Sequence, residues 1–302
     1  MKMTLAVVLA VVLVSSLVAL AADNPSPTNL PKLIVLNRED IKMGRMGEHD
    51  ALMHQLIQTA NSTHSDFHWI SGKSITGNTS EFIAVGFAGS YADVQQGMQD
   101  LNQLQQANLQ NAEYERQSVE SHLSGHSIIA HLRAELCYRP EQVDIANARY
   151  WDVTMIEIKP GARHDFEELE KESIELHKKG NIDERWATYE VAYGTPNTTL
   201  IELTPLRSLA DLDVDTQAAH QAVFTTPIRR QFQAMAKDSV VYEENTLITI
   251  RPEISRPAPD IVAANPDFWT VKEPVASTVP AKTKGKKKTP VQPATLKENE
   301  PK

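Results

Sequence analysis

Hydrophobic and polar residues alternate from Tyr150 to Lys159, and the alternation ends at Pro160-Gly161. A period of two, rich in β-branched residues, predicts a strand with one buried face. Past Gly161 the period lengthens. Phe166, Leu169, Ser173 and Leu176 recur at helical spacing, and Glu167–Lys171 and Glu175–Lys179 form pairs four residues apart on the polar side. That is the pattern of an amphipathic helix. Two short strands follow, Trp186 to Tyr193 and Thr199 to Thr204, around the turn Gly194-Thr195-Pro196-Asn197. Ser208-x-x-Asp211 then announces a second helix, because a capping serine and an acid three residues on satisfy exposed backbone donors reciprocally. Pro227 splits this helix, with a new start at Thr225 or Thr226, and Thr246 to Arg251 reads as the closing strand.

The same order of signals precedes it over residues 33–141. Ile41-Lys42-Met43-Gly44 returns as Ile158-Lys159-Pro160-Gly161, Trp69 as Trp186 and Gly77 as Gly194, all at an offset of 117 residues. Ser90-Tyr91-Ala92-Asp93-Val94 returns as Ser208-Leu209-Ala210-Asp211-Leu212 at an offset of 118, and Arg139-Pro140-Glu141 is paired with Arg251-Pro252-Glu253. In the first copy the second helix is expected to run from Tyr91 to Leu123. A βαββαβ unit is the ferredoxin-like arrangement, a four-stranded antiparallel sheet with both helices on one face. Two copies cover each other's bare sheet face, and a closed barrel is the natural result. The expected fold class is therefore α+β: two fused ferredoxin-like repeats, residues 32–142 and 149–255, packed sheet to sheet as a pseudo-dimeric α/β barrel.

The ends of the chain differ from this body. Residues 1–22 have Lys2, the unbroken apolar run Leu5 to Val14 and small residues at Ala19-Leu20-Ala21, which reads as a cleaved secretory signal. The alternative is a retained anchor, since Leu5 to Ala22 carries no charge. An exported protein, periplasmic or extracellular, with no transmembrane span after cleavage is the expectation. Residues 23–31 read as a flexible lead. Residues 256–302 read as a Pro/Lys-rich tail, mostly disordered and fully so from about residue 275, with Phe268 and Trp269 docking on the body. The formal charge is −9; residues 253–302 hold nine basic and six acidic side chains, so the remainder carries −12. An acidic body argues against a nucleic-acid partner. Cys137 is the only cysteine, which rules out an intramolecular disulfide, and its setting in Ala134 to Tyr138 reads as a strand with a packed structural thiol.

The order of elements, the strand-terminal Lys-x-Gly at Lys42 and Lys159, and the Ser-x-Ala-Asp openings at Ser90 and Ser208 resemble the dimeric α/β-barrel superfamily. That superfamily includes antibiotic-biosynthesis-type monooxygenases and NIPSNAP-like proteins, and the resemblance spans residues 32–255. It is closest to exported bacterial members with a tandem layout. The resemblance implies a barrel; for activity it suggests a cofactor-independent or haem-linked monooxygenase as the alternative to a small-ligand-binding or envelope-associated module. The chain reads as a monomer or a homodimer, since the fusion already supplies what dimerisation gives single-repeat relatives.

No phosphate-binding glycine loop, nucleophile elbow or Cys-x-x-Cys pair is present, so no cofactor is expected. If a ligand lies between the two sheets, the strand rows turned away from the helices line it. Trp69, Trp186, Glu190, Glu202, His177, His220 and Arg251 are the candidate pocket residues, with Arg38, Lys73, Glu135 and Arg139 as further polar positions. Salt bridges across the interface or wet strand ends for the polar residues, and barrel core for the matched tryptophans, are the favoured reading of the same positions, and a lone helical histidine is commonly a packing residue. The histidines give no local metal motif: His49 and His54 are five apart, His64 and His68 flank a helix end, and Gly125 interrupts His122–His126. No metal site is expected.

Overall fold

The computed structural model describes residues 30–270; the expected signal peptide, most of the lead and the lysine-rich tail lie outside the described residues. Repeat 1 consists of β1 (Leu33–Ile41), α1 (Met46–Ser62), β2 (Ile70–Ser74), β3 (Glu81–Ala88), α2 (Tyr91–Leu109), α3 (Ala112–Ser121) and β4 (His122–Leu132). Repeat 2 consists of β5 (Tyr150–Ile158), α4 (Arg163–Gly180), β6 (Ala187–Tyr193), β7 (Thr199–Leu206), a 3-10 stretch (Leu209–Thr216), α5 (Ala218–Val223), α6 (Thr226–Ser239) and β8 (Val240–Ile250). Two short helices, α7 (Pro259–Ala264) and α8 (Pro266–Trp269), follow. No helix among the described residues is long and apolar enough to cross a membrane.

The strands close into one antiparallel barrel in the order β1-β3-β2-β8-β5-β7-β6-β4. Each repeat keeps the ferredoxin-like strand order, and the repeats join where β2 pairs with β8 and β4 with β6. The period-two pattern divides each strand between two layers. Ile34, Leu36, Ile83, Val85 and Ile128 from repeat 1 meet Trp151, Val153, Tyr189 and Ile201 from repeat 2 inside the barrel. Val35, Asn37 and Glu39, the alternate residues of β1, face the helices instead. The barrel interior is packed, and the gap beside Leu36, Arg38, Val153 and Met155 is about 10 Å³, room for about one water at most. The expected ligand space between the sheets is thus filled by side chains.

The closing strands are longer than their apolar signal. β4 and β8 begin at the helix ends, His122 and Val240, and their exposed halves mix polar residues with Leu123, Val241 and Tyr242. The long helix expected to reach Leu123 breaks at Gln110, where Asn111 caps α3 by accepting from the Glu113 and Tyr114 N–H groups. Ser90 caps α2 as its spacing predicts, accepting from the Asp93 N–H, and Asp93 accepts in turn from the Gly89 N–H. Ser208 makes no side-chain cap, and the segment it opens is a 3-10 helix.

Past the barrel each repeat reaches across to the other. Residues 133–138 leave β4 and dock on β6; residues 251–256 leave β8 and dock on β2. The contacts correspond one to one. Trp69 Nε1 and Ser71 Oγ donate to the Ile254 carbonyl at 3.1 and 2.8 Å. Trp186 Nε1 and Thr188 Oγ1 donate to the Leu136 carbonyl at 3.0 and 2.8 Å. Arg251 bridges Glu253 and Asp50, as Arg133 bridges Glu135 and Glu167. Arg133, not Arg139, is therefore the counterpart of Arg251, and Cys137 stands where repeat 2 has Ser255, each donating to the arginine carbonyl four residues earlier. The sequence match at Arg139-Pro140-Glu141 is a separate 3-10 turn with Arg139 in the left-handed region, φ 43°. Cys137 itself follows a 3-10 turn instead of lying within a strand, and burial pushes its thiol up to about 12. The chain then stays on the body through Trp269, which is buried and donates to the Ala146 carbonyl at 2.9 Å.

Candidate functional site

Among the described residues, an open cavity lies on the helix side of repeat 1. α2 is the cause. Its 19 residues are rich in Gln and Asn, and only Val94, Leu104 and Asn108 are buried. A helix with so narrow an apolar stripe anchors at its ends and leaves the sheet uncovered between them. The result is a cavity of about 590 Å³ floored by Phe82 and Ala84, walled by Leu56, Phe67, Trp69 and Leu101. That is the size of a small-molecule site. Its charged lining residues are carboxylates, Glu39, Asp66, Asp93 and Asp100, besides histidines; among the described residues no Lys or Arg lines it.

At one end Glu39 of β1, His49 of α1 and His122 of β4 converge, all three lining the cavity. Glu39 Oε2 lies 3.2 Å from His49 Nε2 and 3.0 Å from His122 Nε2. His122 Nδ1 lies 2.7 Å from the Ser118 carbonyl. His49 is 1 % exposed, and its Nδ1 has no hydrogen-bond partner among the described residues. Burial favours the neutral Glu39 carboxyl, but hydrogen bonds from His122 and His49 outweigh it and hold the group down at about 2. The Glu39 hydrogen bond raises His122, against the opposing effect of its burial. The trio is thus a carboxylate held between two imidazoles at the edge of an apolar space, equipped to move a proton or to hold a cation.

Repeat 2 shows what the fold itself requires at these positions. The strand and helix boundaries place Ile156 opposite Glu39, Phe166 opposite His49 and Val240 opposite His122. Those three residues pack together in one apolar cluster with Leu136, Ile158 and Leu200. Farther along the same layer, Tyr138, His177, Trp186 and Phe224 fill the space with ring centroids 4.9–5.2 Å apart. Repeat 2 closes the layer that repeat 1 leaves open.

Of the candidate pocket residues, only Trp69 lines this cavity. Trp186 and His177 belong to the filled counterpart, where His177 Nε2 meets Glu184 Oε2 at 2.6 Å. His220 stacks on Phe224 with centroids 4.5 Å apart. Glu190 is held by Arg133 and Arg163, and Arg251 by the cross-repeat contact, so both serve the seam between repeats. Arg38 likewise bridges Glu81 and Glu244 of the two repeats. Glu202 faces Glu170 under α4; burial raises Glu170 to about 7 and raises Glu202 well above the ordinary range, the neighbouring Glu170 adding to it.

The haem suggested by family resemblance finds poor accommodation. Among the described residues the cavity lining offers carboxylates but no Lys or Arg for two propionates, and the Nε2 atoms of His49 and His122 are already turned to one carboxylate.

No known family profile matches the chain, and no curated protein is similar to it. Several solved structures are similar to it at low sequence identity. A candidate monooxygenase from Fusobacterium nucleatum is 8% identical, with a TM-score of 0.47 over 74% of this chain and 93% of its own. A candidate monooxygenase from Lactobacillus acidophilus is 9% identical, with a TM-score of 0.43 over 72% and 93%. A chlorite dismutase from Candidatus Nitrospira defluvii, in complex with imidazole, is 11% identical, with a TM-score of 0.44 over 78% and 95%. The likeness is one of fold.

Proposed function

We propose that this protein binds a neutral or cationic, largely apolar small molecule between the helices and the sheet of repeat 1. The observation that carries the reading is the cavity of about 590 Å³ in one repeat beside its filled counterpart in the other. Aromatic and aliphatic walls supply the attraction, and the carboxylate-lined rim disfavours anions. The neutral fluorophore N-phenyl-1-naphthylamine tests it. One molecule binds per chain, and Ala84→Phe, which fills the floor, abolishes binding without lowering the thermal midpoint by more than a few degrees. Equal binding by the variant contradicts the reading.

An oxygenase of the antibiotic-biosynthesis type is the second reading, favoured by the Glu39–His122 pair at the end of the cavity. In that reading the pair removes a proton from a phenolic or enolic substrate, the resulting carbanion adds to dioxygen to form a C–O bond, and the protonated hydroperoxide loses water to leave a carbonyl. Oxygen uptake with a phenolic substrate, lost in Glu39→Gln, supports it; no uptake leaves a binding protein. We also propose that the protein works outside the cytoplasm, on the apolar start Leu5 to Ala22. An N-terminus beginning near Asp23 in the native protein supports export, and an intact Met1 contradicts cleavage.

A further inference from the structure

We infer that Glu39, His49 and His122 bind a divalent first-row transition-metal ion, with its remaining coordination positions open to the cavity. Two imidazoles and one carboxylate suit ions such as Zn²⁺, Co²⁺ or Fe²⁺. One ligand atom from each lies within 4.8 Å of the others. The Glu39 oxygen stands 3.2 and 3.0 Å from the two Nε2 atoms. Ligand bonds of about 2.0–2.2 Å around one ion place neighbouring donors roughly 3 Å apart.

The orientation of His122 gives a second, independent reason. With Nδ1 only 2.7 Å from the Ser118 carbonyl, that nitrogen carries the hydrogen. The neutral ring then turns the lone pair of Nε2 towards a carboxylate oxygen 3.0 Å away. Two acceptors face each other, and a cation, either a proton or a metal ion, must stand between them. A carbonyl holding the far nitrogen is how metal-binding imidazoles are fixed in tautomer and direction.

Repeat 2 supplies the third reason. The same three positions hold Ile156, Phe166 and Val240 as apolar core, so neither barrel closure nor the helix–sheet contact calls for polar groups there. His49 is buried outright and Glu39 and His122 are half-buried, and withdrawing such groups from water is costly unless they are engaged. Because the protein supplies three ligands, the ion keeps positions free, as open metal sites do and closed structural ones do not. The lining beyond the trio, including Phe82, Leu52 and Met53, would hold an organic molecule against those positions.

This inference stands apart from the small-molecule reading, since fluorophore binding tests the cavity and metal titration tests the trio. The experiment uses the untagged full chain, stripped with a chelator and titrated with Co²⁺ by visible absorbance and with Zn²⁺ by calorimetry. One ion per chain binds at micromolar Kd or tighter, with an absorption that reports nitrogen ligands. Glu39→Gln weakens it at least tenfold. The triple variant Glu39→Ile, His49→Phe, His122→Val gives repeat 1 the residues of repeat 2; it binds no ion and retains or gains urea stability. Failure of the wild-type chain to bind either ion, or unchanged affinity in the folded triple variant, overturns the inference.

Discussion

Glu170 of α4 and Glu202 of β7 face each other with raised carboxyl pKa values, chiefly because burial disfavours their charged forms. A carboxyl raised in the folded state stabilises the fold below its unfolded value, near 4.3, and loses that contribution as pH climbs through about 7. Urea unfolding should therefore show stability falling between pH 5 and pH 8, on the order of 2 kcal/mol, and Glu202→Gln should flatten that slope. An unchanged slope would show the pair to be solvated. Glu39 works oppositely, since its depressed value of about 2 makes its contribution vanish as pH falls below the unfolded value. Cys137 is buried with its thiol pushed up to about 12, so it should resist alkylation at pH 8 in the native protein and react once unfolded; fast native labelling would contradict this burial. Trp69 is the expected pocket residue that lines the cavity. His49 and His122 were visible to the sequence but set aside on local spacing, because they lie 10 and 83 residues from Glu39 and only strand pairing and α1 bring them together. The signal that could have found them is the repeat itself: charge or imidazole in one copy against Ile156, Phe166 and Val240 in the other.

The turns between elements carry two matched glycines with unequal tasks. Gly77 has φ +63° and open space around a would-be Cβ, while Gly194 has φ +103° and backs directly onto the Ser127 carbonyl at the β4–β6 seam. Gly77→Ala should cost about 1 kcal/mol. Gly194→Ala adds a clash with backbone and should cost more than about 3 kcal/mol. Equal losses in urea unfolding would show that the seam yields. Element type was readable from periodicity in both copies except at the 3-10 segments Ala134–Leu136 and Leu209–Thr216, and the paired glycines marked both hairpins. Element length was not: β8 runs Val240–Ile250, yet its first half, Val-Val-Tyr-Glu-Glu-Asn, is held by ladder pairing with β5 and has exposed side chains. Pairing of that kind leaves no alternation of buried residues to read. The break between α2 and α3 at Asn111 is a capping event that helical spacing across it conceals.

Barrel closure and the two reciprocal arms make the repeats one folding unit. Trp69→Phe and Trp186→Phe each remove one indole hydrogen bond to the other repeat's 3-10 turn while keeping most of the ring packing. Each should lower stability by about 1–2 kcal/mol, with a single transition retained by both fluorescence and circular dichroism. Separate transitions for the two repeats would contradict the unit. The pseudo-dimeric barrel was legible because duplication and the period of two both demand it. The place of the cavity was not, because alternation assigns residues to two faces of a strand without saying which layer its neighbours fill. Large inward residues such as Trp151 and Tyr189 fill the barrel, and the sparse apolar stripe of α2 leaves the outer layer of repeat 1 open. Methionine methyl resonances report on both layers at once. Met53 and Met98 line the outer cavity of repeat 1, and Met155 packs inside the barrel. Titrating the ¹³C-methyl-methionine protein with N-phenyl-1-naphthylamine should move the Met53 and Met98 signals and leave Met155 in place. Movement of Met155 alone, or of none of the three, would contradict a site between the helices and sheet of repeat 1.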